Sequence, residues 1–353
     1  MATLKIGIIG CGGISRQHIE AYNKNPDVEV YALCDINEER VKAMGEKYGI
    51  DRLYTSADEM LKLAEIDAVS ICTWNSAHAP CTIAALNAGK HVLCEKPMAM
   101  NAEEAQTMID AAEKAGKLLM IGFARRYGSD CLILENFLKQ DYFGEIYYAK
   151  ATYLRRKGFP GGWFGDKSRS GGGPLIDLGV HVIDLAKYIM GNHKPVSVYG
   201  ATFHKLGDRK DVIGRGGYES AIKSNKDPFN VEDLATAMIR FDNDSVIAVD
   251  TSFSLNIKKD VTDLQFFGTK GGAKLSPELE IYSEQCGYMV DTNLVAPTAL
   301  DFTTLFSNEI NHYVDCLMGR AECKSPAKDG LAMMQILDAI YESAKTGHEV
   351  LLK

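Results

Sequence analysis

No stretch of this sequence concentrates charge of one sign. Its 39 Lys and Arg are interspersed with 47 Asp and Glu, for a formal net charge of −8. That balance disfavours nucleic acid or an anionic membrane surface as the main partner. No apolar run approaches the ~18 residues that a membrane span needs, and the opening MATLKIGIIGCGG lacks the layout of a secretory leader. Nor do the nine cysteines form a C-x-x-C pair: Cys11, Cys34, Cys72, Cys81 and Cys94 lie in or beside apolar runs. An odd number scattered through a long chain points to reduced thiols rather than a disulfide framework. Internal repeats and low-complexity tracts are missing too, which removes solenoids and disordered arrays. These absences lead to the expectation of a soluble, cytoplasmic protein.

What is there is ordinary globular composition, 46% hydrophobic and 24% charged over 353 residues, room enough for two domains. Short apolar runs at 5–10, 28–35, 67–73, 91–95 and 118–123 alternate with amphipathic segments at 13–24, 37–49, 76–88 and 101–116. Asn101 is a candidate N-cap, and Gly49, Gly89 and Gly116 close their helices. The rhythm predicts a doubly wound parallel sheet over residues 1–124. Beyond residue 125 the runs 146–156, 195–204, 234–242, 245–255 and 262–269 are longer, and several alternate polar with apolar. They predict an open, mostly antiparallel sheet, with helices at 302–319 and 327–346 closing the chain. The charged, Gly-containing segment 205–229 is expected to be a loop, as a flap, a subunit contact or a plain insertion.

The first strand runs into GCGGIS, placing Gly10, Gly12, Gly13 and Ile14 at a strand–turn–helix junction. A glycine turn lets backbone approach a pyrophosphate, and a helix N-terminus supplies N–H donors. Asp35 ends the second strand, where a carboxylate accepts both adenosine ribose hydroxyls and repels a 2′-phosphate, so NAD is expected over NADP. Thr73, Trp74 and Asn75 end the third strand, with His78 one turn into the next helix. Strand ends of this kind line the ligand crevice; Trp74 suits either stacking on the cofactor or a structural role, and His78 either a cap or a contact. The fourth strand ends in Glu95-Lys96-Pro97. A lysine there, beside the nicotinamide half of a dinucleotide, can hydrogen-bond the oxygen at the reacting carbon.

The second candidate segment is SGGGPLIDLGVHVIDL, Ser170 to Leu185. Asp177 and His181 are four apart, hence on one helix face, with Asp184 a turn further. A carboxylate beside an imidazole orients it and raises its basicity, as a general base requires. The pair also suits a metal, but no Cys/His cluster stands nearby to complete a site, and none is expected.

Together, GCGGIS, Asp35, EKP and D-L-G-V-H-V-I-D resemble the Gfo/Idh/MocA family of oxidoreductases, over essentially the whole chain. The resemblance implies an N-terminal Rossmann NAD-binding domain (1–124) and a C-terminal α/β domain with a large, mostly antiparallel open sheet (125–353). The second would bind substrate and carry oligomerisation, its last helices packing back on the first. It implies NAD as cofactor and hydride transfer between a secondary alcohol carbon of a sugar, cyclitol or glycoside and NAD. His181 would be the general base, Asp177 its partner, and Lys96 the residue polarising the hydroxyl. Gly10, Gly12, Gly13, Ile14, Asp35, Thr73, Trp74, Asn75, His78, Glu95 and Lys96 are the cofactor candidates. Arg125, Tyr153, Arg156 and Trp163 join Lys96, Asp177 and His181 as substrate candidates, with Arg126 and Lys167 further possibilities for the same pocket. A homodimer or homotetramer through the C-terminal sheet is the oligomer expected. Two other readings share these motifs: a redox-neutral enzyme that retains NAD and works through a keto-sugar, and a non-catalytic NAD or sugar sensor. Trp74, where many members carry proline, and Ser15, in place of a third glycine, depart from the family pattern.

Overall fold

Strands rich in Val, Ile and Leu that are hydrophobic on both faces belong in a sheet covered on both sides, and the first third of the chain builds one. The computed structural model describes residues 3–214, 218–220, 227–276, 278–295, 298 and 300–352. Six strands, β1 (Leu4–Ile9), β2 (Val28–Cys34), β3 (Leu53–Tyr54), β4 (Ala68–Ile71), β5 (His91–Glu95) and β6 (Leu119–Gly122), lie in the order β3-β2-β1-β4-β5-β6. All their pairings are parallel. Between them run α1 (Gly13–Tyr22), α2 (Glu38–Tyr48), α3 (Ala57–Leu61), α4 (His78–Asn87) and α5 (Ala102–Ala115). Ile6, Ile8, Leu33, Val69, Ile71, Val92, Leu93 and Ile121 are buried at the centre. Asn101 caps α5 by accepting the Glu104 N–H at 2.9 Å, and Gly116 closes it in the left-handed region at φ 60°.

The remaining strands, β7 (Ile146–Leu154), β8 (Pro195–Phe203), β9 (Leu234–Phe241), β10 (Val246–Ser252), β11 (Val261–Gly268), β12 (Gly271–Lys274), β13 (Glu280–Gln285), β14 (Tyr288–Thr292) and β15 (Val350–Leu351), form a nine-stranded sheet. Its order is β14-β13-β12-β11-β7-β10-β9-β8-β15, antiparallel except where β10 runs parallel to β7. Helix α6 (Ser129–Leu138) precedes β7, α7 (Lys167–Ser170) and α8 (Val180–Ile189) follow it, and α8 packs on β7, β10 and β11. Ala149, Ala151, Ile239, Ile247, Val249 and Phe266 face inward, whereas Tyr199 and its cross-strand partner Met238 are more than half exposed. This is the alternation that the period-2 runs predict.

Helices α9 (Phe302–Leu317) and α10 (Ala327–Thr346) lie between β14 and β15. The chain divides into two compact units: Met1–Ala124 with Thr303–Met334, and Arg125–Phe302 with Gln335–Lys353. In the first, Ser325 accepts the Ile121 N–H at 3.0 Å and Pro326 bridges to Met120. Of the predicted loop 205–229, residues 215–217 and 221–226 lie outside the described residues. Its start is organised by Asp233, whose buried carboxylate accepts the N–H groups of Lys205 and Gly207 at 2.7 and 2.8 Å. Among the described residues no helix is long and apolar enough to cross a membrane.

Candidate functional site

The glycine turn of the first unit is shaped by two separate demands. Gly10 has φ +94°, and a Cβ there would lie 2.5 Å from the Cys72 carbonyl oxygen, so only glycine fits between β1 and β4. Gly12, by contrast, has nothing within 4 Å of where its Cβ would be, and as N-cap of α1 it offers no side-chain cap. With no side-chain cap from Gly12, the first turn of α1 has the form that suits an anion such as a pyrophosphate. Ser15, the departure from a third glycine, is buried and donates its hydroxyl to the Gly12 carbonyl at 2.8 Å, which braces the turn.

Asp35 stands at the end of β2 and is tied to that turn. One carboxylate oxygen accepts the Cys11 N–H at 2.8 Å, and the other accepts the Asn37 N–H at 2.8 Å. Burial, with the Asp35 charge adding to it, pushes the Cys11 thiol up to about 12, so it stays protonated. Arg40, which sequence reasoning passed over, reaches Asp35 at 3.1 Å. Its only sequence signal is its place one helical turn into α2. These features fit an adenosine ribose at Asp35 and a pyrophosphate over Gly12.

The end of β4 brings Thr73 and Trp74, both half-buried, and the buried Asn75, which begins a short 3₁₀ turn (Asn75–Ala77). His78 is fully buried: Nδ1 lies 2.7 Å from the Pro97 carbonyl oxygen and Nε2 lies 3.2 Å from that of Thr73. Burial lowers its pKa, against the raising effects of the Pro97 carbonyl and Glu95. Glu95 also points inward, 2.8 Å from His18 Nε2, and accepts the Lys96 N–H at 3.3 Å. Burial raises the Glu95 carboxyl, but the His18 hydrogen bond and nearby positive charge outweigh it and leave the group below its ordinary value. His18 is a second residue missed from sequence, because its partner lies 77 positions away. Glu309 completes a buried trio with them, ligand atoms within 4.8 Å of one another. Lys96 itself is half-buried at the cis Lys96–Pro97 peptide.

In the second unit the glycine run does something other than admit a ligand. A Cβ on Gly172 would sit 1.9 Å from the Tyr341 hydroxyl, and one on Gly173 would sit 2.2 Å from the Glu232 carbonyl oxygen. The glycines let Tyr341 and Glu232 close on the helix start. Glu232, also missed from sequence, accepts the N–H groups of Gly173 at 3.0 Å and Leu175 at 3.2 Å and the Tyr341 hydroxyl at 2.9 Å. Burial pushes its carboxyl up against the pull of those donors. From this cap the chain makes a π-helical turn, Leu175–Gly179, before α8. Such insertions recur at functional sites. From Leu175 to Ile183, only Asp177 and His181 remain half-exposed, and every other residue is buried.

Asp184 has a separate role. Its carboxylate takes Arg126 side-on, at 2.9 and 2.6 Å, and the pair is buried with Tyr188 stacked against the guanidinium at 4.7 Å. Arg126 is thus a core residue and not a pocket lining. Arg125 is held by Asp130 at 2.8 and 3.3 Å. The Tyr153 hydroxyl accepts from Arg155 at 2.8 Å, and exposed Arg156 donates to the Lys258 carbonyl at 3.3 Å. Trp163 stacks on Phe164 with ring centroids 4.0 Å apart, and Lys167 is exposed.

Family models match both parts of the chain. One described as "Oxidoreductase family, NAD-binding Rossmann fold" matches residues 4–123, and one described as "GFO/IDH/MocA C-terminal domain" matches residues 133–274. D-glucoside 3-dehydrogenase of Escherichia coli (strain K12) is 36% identical over 352 residues, 98% of this chain and 97% of that protein. D-apiose dehydrogenase of Paraburkholderia graminis is 27% identical over 99% of this chain and 90% of its own. Among solved structures, levoglucosan dehydrogenase in complex with NADH superposes with a TM-score of 0.87 at 23% identity, covering 99% of each chain, which supports the fold.

Proposed function

This chain belongs to the Gfo/Idh/MocA family of oxidoreductases, and from that premise we propose that it oxidises a secondary alcohol of a sugar, cyclitol or glycoside, with a glucoside first in order. The observation that carries this reading is the exposure pattern along Leu175–Ile183, where Asp177 and His181 alone escape burial. Both side chains stand at the surface of an otherwise buried segment, where they can meet a substrate. The D-glucoside 3-dehydrogenase named above supports the choice of glucoside.

Bound NAD⁺ supplies the hydride acceptor. His181 takes the hydroxyl proton as the C–H hydride leaves and the carbonyl forms, and Asp177 orients the imidazole and stabilises its protonated form. Lys96 hydrogen-bonds the oxygen, on which negative charge develops. Gly12, Gly13, Ile14 and Asp35 would hold the dinucleotide, with Thr73, Trp74 and Asn75 as further cofactor contacts. In this reading residues 1–124 form the cofactor domain, and Arg125, Tyr153, Arg156 and Trp163 shape substrate choice in the second. The exposed Tyr199 and Met238 row of the large sheet supports pairing of two chains through that face.

The test is absorbance at 340 nm with NAD⁺ and a panel of methyl glucosides, free sugars and cyclitols. A sustained rise with one compound is expected. Lys96→Ala and His181→Ala should each lose about 10²–10⁴-fold in turnover while still binding NAD. Near-wild-type turnover in either variant refutes the assignment. A burst that stops near one equivalent while product accumulates would replace it with a redox-neutral reaction on retained NAD.

A further inference from the structure

His78 is a cofactor candidate by its sequence position, yet the ring is fully buried and both its nitrogens face backbone carbonyls of its own unit. One carbonyl is that of Pro97, which directly follows Lys96; the other is that of Thr73, at the end of β4. We propose that His78 is a positioning residue for Lys96, holding the Lys96–Pro97 turn through a hydrogen bond from Nδ1–H to the Pro97 carbonyl. This rests on the functional reading of Lys96 given above.

The ring has to choose between its two neighbours. Burial keeps it neutral near pH 7, and a neutral imidazole has a single N–H for two acceptors. The contact at 2.7 Å takes the proton in preference to the one at 3.2 Å. A donor is therefore needed at Nδ1, while Nε2 only fills space beside Thr73. From the other side, His18 holds Glu95, and Glu95 accepts the Lys96 N–H. The residues before and after the lysine are thus each anchored by a buried histidine, on α1 and α4 respectively. A ring that acts through the backbone of the turn affects the height of the Lys96 ammonium without touching cofactor or substrate. Misplacing a reacting group by about 1 Å costs on the order of 10²-fold in rate.

Asparagine can present a donor near the Nδ1 position and glutamine near the Nε2 position, so the two amides separate the links. The experiment compares His78→Asn, His78→Gln and Lys96→Ala in the full chain, with methyl β-D-glucoside and NAD⁺, alongside NAD binding by calorimetry and melting temperature. His78→Gln should lower kcat by roughly 10–100-fold, with the NAD Kd within about twofold of wild type. His78→Asn should recover kcat to within about threefold, since it keeps the donor. His78→Gln combined with Lys96→Ala should be no slower than Lys96→Ala alone, as expected of two residues acting as one unit. A readout independent of turnover is the ¹⁵N spectrum of histidine-labelled protein, which should show the His78 ring protonated at Nδ1. Several results would overturn the inference: the opposite tautomer, multiplicative losses in the double variant, an asparagine variant as slow as the glutamine one, or a weakened NAD Kd with kcat intact. If Lys96→Ala itself turns over normally, the functional reading falls first, whereas loss in Lys96→Ala with full activity in His78→Gln sinks the positioning role alone.

Discussion

Replacing Glu232 with alanine removes one carboxylate from the start of the Asp177–His181 segment and leaves three donors behind. These are the Gly173 and Leu175 N–H groups and the Tyr341 hydroxyl, at 3.0, 3.2 and 2.9 Å from it. A buried donor stripped of its acceptor costs about 1–3 kcal/mol, so the gross loss is about 3–9 kcal/mol. Burial already disfavours the ionised carboxylate, as its upward pKa shift shows, and deleting it returns part of that cost. A net destabilisation of about 3–5 kcal/mol remains. For a domain of roughly 150–250 residues each kcal/mol moves the midpoint by about 2–4 °C, which gives a fall of about 6–20 °C. Calorimetry or thermal circular dichroism reads it directly. Tyr341→Phe removes one donor and leaves the backbone cap, so it should cost only about 1 kcal/mol. A Glu232→Ala midpoint within 2 °C of wild type would show that the cap does not hold the segment, and the account of Gly172 and Gly173 as seats for Tyr341 and Glu232 would go with it.

Other perturbations test other parts. Arg126→Met strands the buried Asp184 carboxylate, and a loss of about 3–5 kcal/mol by denaturant titration is expected; a loss under 1 kcal/mol would contradict the pairing. Asp35→Ser removes the carboxylate that repels a 2′-phosphate and releases Arg40 from it, so the NAD over NADP preference in kcat/KM should drop at least about tenfold; an unchanged ratio places selectivity elsewhere. The pH dependence of stability should come partly from His91 and His312. Each ring accepts a backbone N–H, from Leu118 and Lys324 respectively, both at 3.0 Å, and so must be neutral. Burial first, then Lys117 and Lys324, lowers both below the ordinary 6.5. The unfolded chain then binds more protons in the window below about pH 6.5, so their contribution is present above that range and is lost as pH falls toward the folded values. His91→Asn, which keeps an acceptor for Leu118, should flatten the decline between about pH 7 and 5 in thermal unfolding; an identical slope would exclude His91 as a source.

The parallel sheet was legible because each strand and helix carries its own periodicity and stop signal. Asn101 and Gly116 act as a cap and a left-handed closure through bonds no more than a few residues long. The two-residue β3 was not legible, since Leu53–Tyr54 is too short to have a period and exists only by pairing with β2. The glycine run at 171–173 is visible in the sequence, but the residues that close on it, Tyr341 and Glu232, are not. The spacing of Asp177 and His181 read as one helix face, and the π turn at Leu175–Gly179 was not legible from it.

Local order along the chain was thus sufficient for the strand–turn–helix junctions, for the positions of Gly10, Asp35 and Lys96 at strand ends, and for the family to which the motifs point. Those properties depend on neighbours within about one or two turns, which is the range over which spacing carries information. Partner choice was decided only in three dimensions. That Asp184 would take Arg126, 58 residues earlier, that Glu232 and Tyr341 would cap the Gly173 turn, and that His18 and His78 would grip Glu95 and Pro97, follow from which buried polar groups the fold brings within bonding distance. A buried donor or acceptor must be satisfied by whatever lies beside it, and what lies beside it is set by packing rather than by sequence separation.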